Sequence, residues 1–130
     1  MQQLQTGIKG HQEITVTKKD TASVYGSGAL EVFGTPAMIA LMEKTALKSI
    51  EPFLDEGEGS VGTALDVKHT AATPVGMRVI CESELIEVDR KRLTFRVTAR
   101  DEAGPIGEGT HERFVIQNEP FMEKAANKGK

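Results

Sequence analysis

From Thr35 to Ile50 the chain runs TPAMIALMEKTALKSI, with apolar residues at helical spacing on nearly every face. This predicts one long helix from Thr35 to about Ile50. Thr35 can cap the first free amides, Pro36 has no amide to leave unpaired, and Pro52 marks the end. Beyond the turn-prone DEGEG at 55–59, the pattern switches to alternation, the mark of strands. Val61, Thr63, Leu65 and Val67 fall on one face, with Gly62, Ala64, Asp66 and Lys68 on the other. Met77, Val79, Cys81, Ser83 and Leu85 then share a face, as do Leu93, Phe95, Val97 and Ala99 in the next run. A last strand covers roughly 107–116, and a short one is predicted at 13–16.

Charged links at 89–91 and 101–104 favour antiparallel hairpins. The order is strand, glycine-rich segment (25–30), long helix, then four strands. An antiparallel sheet must cover its apolar face, and a helix apolar nearly all round is one wrapped by that sheet. The fold class expected is α+β, in one domain spanning residues 1–130. The polar, glycine-containing ends, 1–10 and 118–130, are expected to be loose or capping.

Within the helix, Glu43 has Ile39, Ala40, Ala46 and Leu47 three and four residues away. A carboxylate among such neighbours loses hydration, a setting that marks functional sites more often than chance. The alternative is a glutamate at the stripe's edge, paired with Lys44 or Lys48. Thr35 lies at the helix start, where free amides favour an anion or a polarised oxygen; a plain cap is the simpler reading. His69 continues the face of Leu65 and Val67 into the small-residue loop TAATPVG, where the chain leaves the sheet. A satisfied buried histidine fits that position as well. His111 and Arg113 share a face with Gly107 and Gly109 in GEGTHERF; a structural pair is the better reading, and the glycines mark close approach of a backbone or ligand.

Composition narrows the classes. The net charge of −3, without a basic stripe, offers no footprint for nucleic acid. A lone cysteine, Cys81, excludes an intrachain disulfide and fits a reducing cytosol, and its phase with Met77 and Val79 makes it core. MQQLQTGIKG has no apolar run, so no secretory signal is expected, and no segment approaches membrane-spanning length. A cytoplasmic location is expected. There is no zinc spacing, no phosphate-binding or dinucleotide glycine motif and no GxSxG elbow, so neither metal nor cofactor is expected.

Three blocks, VFGTPAMIALMEKTAL, EGEGSVGTALDVKHTAATPVGM and IGEGTHERFVI, occur in this order over residues 32–116. Together they resemble the hotdog-fold thioesterases, and most closely the group that includes fluoroacetyl-CoA thioesterase. The resemblance implies a long helix wrapped by a curved antiparallel sheet. It also implies a homodimer, or a higher oligomer, with two sites at the interface. Thr35, Glu43 and His69 match the threonine, glutamate and histidine that act on an acyl-CoA thioester. Gly62 matches a glycine lining the acyl pocket, and Arg113 an arginine near the site. The resemblance departs at YGSGALEVF, which is short and lacks the lid phenylalanine; a general short-chain substrate is therefore expected. A hotdog-type hydratase or dehydratase and a non-catalytic acyl-CoA binding domain are the rival readings. Lys68, Arg78 and Arg113 are candidates for the CoA phosphates.

Overall fold

The computed structural model describes residues 4–130. One sheet carries the fold. Its strands are β1 (Lys9–Thr15), β2 (Glu58–His69), β3 (Arg78–Asp89), β4 (Arg92–Asp101) and β5 (Gly104–Gln117), in the order β1-β3-β4-β5-β2. Every neighbouring pair is antiparallel. Three helices accompany it: a single turn, α1 (Ala22–Tyr25); the long α2 (Thr35–Ile50); and α3 (Asn118–Ala126). This is the predicted α+β architecture, a curved antiparallel sheet around one long helix.

The predicted bounds of α2 hold. Ala37, Met38, Leu41, Met42, Ala46 and Ile50 bury one broad side of it. They meet Val79, Cys81 and Leu85 of β3 and Leu93, Phe95 and Val97 of β4, the faces that alternation assigned inward. Each of the larger side chains among them (Val, Leu, Ile, Phe or Met) stabilises the fold by about 1.5–3 kcal/mol when fully buried. α2 packs chiefly on β1 and β3 and only lightly on β2. Ile39, Glu43 and Leu47 therefore remain partly uncovered on the side towards β2.

Three sequence expectations need correction. Of residues 1–10, the first three lie outside the described residues, and the rest are not wholly loose: Lys9 and Gly10 belong to β1, and Leu4 is buried. The tail from Asn118 forms α3 through Ala126, with the Asn118 amide donating to the Gly57 carbonyl. The third concerns β2. Its pairing with β5 slips by one residue between Gly62 and Ala64, so Thr63 sits in a bulge. Such a slip exchanges the two faces. Leu65, Val67 and His69 keep the inner face, but upstream of the bulge it is Ser60 and Gly62, not Val61 and Thr63, that turn inward with Arg113.

Candidate active site

Thr35 and His69 meet at one end of the molecule. Gly34, not Thr35, is the N-cap of α2, and no side chain caps the helix. The Thr35 hydroxyl is thereby free, and Oγ1 lies 2.8 Å from His69 Nδ1. His69 is the last residue of β2, opposite Gly107 of β5, with its ring edge-on to buried Phe33 at a centroid distance of 6.3 Å. Burial pushes the imidazole pKa down, and the Ala71 backbone partly opposes this. The ring is therefore neutral near pH 7. Nε2 is buried without a hydrogen-bond partner. A polar atom in that state is costly unless something arrives to pair with it.

The loop after His69 is pinned rather than free. The Thr70 amide donates to the Ile106 carbonyl, the Phe33 amide to the Thr73 carbonyl, and the Gly76 amide to the Val16 carbonyl. Thr73, fully buried, donates its hydroxyl to Asp101 Oδ2 at 2.7 Å. One threonine thus ties the histidine loop to both the lead-in of α2 and the β4–β5 turn. Between them opens a cleft of about 290 Å³, lined by Val32, Phe33, Thr35, His69, Ala71 and others. The glycine-rich segment beside it carries α1 and exposes Val24, Tyr25 and Leu30.

Glu43 belongs to a second cluster. A Cβ placed on Gly62 would lie 2.8 Å from Glu43 Oε2, 3.1 Å from His111 Cε1 and 3.6 Å from Arg113 Nη1. The missing side chain of Gly62 is what lets carboxylate, imidazole and guanidinium converge. Lys48 pairs with Glu51 at 3.2 Å, so the alternative pairing of Glu43 with Lys48 is not what the structure shows. Arg113 is buried, and its guanidinium spends its donors inside the chain. Nε donates to Ser60 Oγ at 2.8 Å, Nη2 to the Ser60 carbonyl at 2.9 Å, and Nη1 to His111 Nε2 at 3.1 Å. Such a fork is not placed for a solvent-borne CoA phosphate. Ser60 was not singled out from the sequence; once the bulge is known, its phase with Gly62 identifies it. Gly107 and Gly109 share the face of His111 as expected, and close approach explains them: Met38 packs where a Cβ of Gly107 would go, and the β2 backbone where that of Gly109 would go.

The remaining candidates take no part in either cluster. Cys81 is fully buried, and desolvation pushes its thiol pKa up to about 11, too high for a nucleophile near neutrality. Arg78 is exposed and pairs with Glu13 at 3.4 Å, and Lys68 points outward from β2.

Thr35 and Glu43 are eight residues apart on one helix, an axial separation of about 12 Å at 1.5 Å per residue. Their clusters lie at opposite ends of the inner face of β2. The fold thus brings together Thr35 with His69, and Glu43 with Gly62 and Arg113, as two separate groups.

Comparison with known proteins agrees with the fold. Residues 16–119 match the family of fluoroacetyl-CoA-specific thioesterases (FlK). The fluoroacetyl-CoA thioesterase of Streptantibioticus cattleyicolor is 49% identical over 98 residues, 75% of this chain and 70% of that protein. A crystal structure of a phenylalanine-to-alanine variant of FlK, in complex with fluoroacetate and CoA, superposes with a TM-score of 0.86. It is 41% identical and the match covers 91% of this chain and 99% of that one. A thioesterase superfamily member from Thermus thermophilus is 29% identical, with a TM-score of 0.89 over 97% of this chain and 93% of that one. The chain belongs to the fluoroacetyl-CoA-specific thioesterase family.

Proposed function

We propose that this protein hydrolyses short-chain acyl-CoA thioesters in the cytoplasm, at a site shared between two copies of the chain. The observation that carries this reading is the separation of the two clusters. Thr35 and His69 form one half, and Glu43, Gly62 and Arg113 the other, too far apart along α2 and β2 to flank one carbonyl in a single chain. β2 is an edge strand twelve residues long, a template for pairing with a second chain. Antiparallel pairing of two β2 strands about a two-fold axis lays the His69 end of one along the Gly62 end of the other. It also covers the exposed side of α2 around Ile39 and Leu47. Each dimer then holds two complete sites.

In such a site Glu43 is the working carboxylate. By one route it attacks the thioester carbonyl: a bond forms from its oxygen to the acyl carbon, the carbon–sulfur bond breaks, and CoA leaves as the thiol after gaining a proton. Water then opens the anhydride and restores the carboxylate. By the other route Glu43 takes a proton from a water that attacks directly. Both consume one water and yield a free acid and CoA. His69, neutral and with Nε2 unpaired, serves either route by exchanging a proton or hydrogen-bonding the acyl group. Thr35 fixes the orientation of the ring. The first-turn amides of α2, at Thr35 and Ala37, have no intrahelical acceptor and suit a developing oxyanion, a contribution of about 3–4 kcal/mol per donor.

Thiol release from acetyl-, propionyl- and fluoroacetyl-CoA tests the reading. Wild type should release CoA, and Glu43→Ala and His69→Ala should each lower kcat by about 10²–10⁴. Tight acyl-CoA binding with no thiol release, or a Glu43→Gln variant at the normal rate, contradicts it. Loss of enoyl absorbance without free thiol would instead indicate hydratase chemistry.

A further inference from the structure

Behind Glu43 lies a buried histidine that the mechanism above does not use. His111 is 1% exposed, and its ring stacks on Phe95 at a centroid distance of 6.3 Å and an interplanar angle of 29°. Both ring nitrogens are engaged. Nδ1 lies 3.0 Å from the Ala64 carbonyl oxygen, and Nε2 lies 3.1 Å from Arg113 Nη1. A carbonyl only accepts and a guanidinium only donates. Nδ1 therefore carries the hydrogen, Nε2 is bare, and the imidazole is neutral. No other protonation state satisfies both partners.

This fixes Arg113 from two sides, with Ser60 holding Nε and Nη2 while His111 holds Nη1. The guanidinium is thereby presented at Gly62, where Glu43 Oε2 also arrives. We infer that His111 is a positioning residue for the Glu43 carboxylate: it holds Arg113 as a fixed positive charge beside Glu43, and it does so only in its neutral, Nδ1–H form. The inference rests on the assignment of Glu43 as the working carboxylate. Protonation would turn Nε2 into a second donor facing the guanidinium. The bond would become a repulsion, and Arg113 would be driven off its place beside Glu43.

Burial is the largest influence on the His111 ring and favours its neutral form. Arg113 on its own strand disfavours the imidazolium. Glu43 from α2 and Glu112 on β5 favour it. The Ala64 carbonyl of β2, which accepts from Nδ1, also favours the imidazolium, while Gly62 of β2 and Phe95 of β4 add no charge. Desolvation outweighs the rest and the pKa is pushed below the ordinary value of 6.5.

The test uses His111→Gln, whose amide offers one donor and one acceptor but does not titrate, and His111→Met, which offers neither hydrogen bond. With acetyl-CoA or fluoroacetyl-CoA as substrate, His111→Met should lose about ten- to hundredfold in kcat, the worth of one charge-assisted hydrogen bond, with KM changed far less. His111→Gln should recover most of that loss, and its kcat should fall less steeply than that of wild type as the pH drops below 6. Imidazole nitrogen NMR of the wild-type protein should show His111 as the Nδ1–H tautomer. A His111→Met variant with wild-type kcat and pH profile overturns the inference alone, as does an Nε2–H tautomer. A folded wild-type protein that releases no thiol overturns the thioesterase reading and this inference together, so the two failures are distinguishable.

Discussion

Thr35 Oγ1 and His69 Nδ1 stand 2.8 Å apart, although 34 residues separate them in the chain. The contact exists because Gly34 takes the N-cap of α2 and leaves the Thr35 hydroxyl unused by the helix. Thr35→Val keeps the shape and removes that bond. The expected result is a fall in kcat of about tenfold or more with little change in stability, since the hydroxyl is exposed and one hydrogen bond is worth about 0.5–1.5 kcal/mol. Thr35→Ser should retain most of the activity. A Thr35→Val enzyme at full rate would remove Thr35 from the site.

Protons couple to the same residues. The pKa values of His69 and His111 are both pushed below 6.5 in the folded chain, chiefly by desolvation. An unfolded chain regains the ordinary value, so below it the unfolded state binds more protons than the native one. The stability that the neutral rings confer is complete above about pH 6.5 and is lost as the pH falls through the window down to the folded values. Urea midpoints measured from pH 7.5 to 5 should fall with the pH, and by less in the His111→Gln variant. A midpoint flat across that range contradicts the assignment of both rings as neutral.

Gly62 predicts a separation of activity from stability. The nearest atom to its missing Cβ is a carboxylate oxygen at the flexible end of a side chain, at 2.8 Å. Gly62→Ala can be accommodated if Glu43 swings aside and the His111 ring, 3.1 Å from the new Cβ, gives by a few tenths of an ångström. Activity should fall by more than tenfold while the stability cost stays at about 1 kcal/mol, the centre of the distribution for single substitutions. Equal activity would mean that the position of Glu43 is not critical.

Much of the fold was legible because burial is written as periodicity. The bounds of α2 and the inner residues of β3 and β4 follow from apolar spacing alone. β1 was predicted only from residue 13, because KGHQ ahead of it has no apolar side chain and none of the strand's residues is fully buried. α3 was missed because none of its residues is buried. The bulge at Thr63 was invisible, since strict alternation assumes an unbroken register, and it reversed the face assigned to Gly62. The family resemblance placed Gly62 near the acyl group even though alternation pointed it away from His69. Thr35, Glu43 and His69 were all singled out from the sequence. That they would fall into two clusters was not, because separation along α2 and β2 matters only once both are laid side by side.

The anchor of the histidine loop yields a stability prediction. Thr73 is fully buried and donates to Asp101. Partial desolvation works to raise the Asp101 pKa, but the Thr73 hydroxyl and the amides of Ala103 and Gly104 outweigh it and hold it below the usual 3.8. Thr73→Val should cost about 1 kcal/mol, the net worth of one hydrogen bond, because the half-buried Asp101 carboxylate loses a donor but keeps access to water. It should also loosen the His69 loop, seen as faster amide exchange at Thr70 to Gly76. The contribution of Asp101 is present above its unfolded pKa and lost as the pH falls through the folded value, so the Thr73→Val penalty should shrink below about pH 4. An unchanged denaturation midpoint at pH 7 would count against the anchor.

The shared site is tested most directly by mixing two inactive variants. Glu43→Ala and His69→Ala chains, unfolded together and refolded, should form mixed dimers in which one site unites an intact Thr35–His69 pair with an intact Glu43 from the other chain. With random pairing, half the dimers are mixed and each has one working site, so thiol release should return to about a quarter of the wild-type rate. If both clusters instead served a site within one chain, every site in the mixture would lack one residue. Thiol release would then stay at the level of the separate variants, and the shared site would be contradicted.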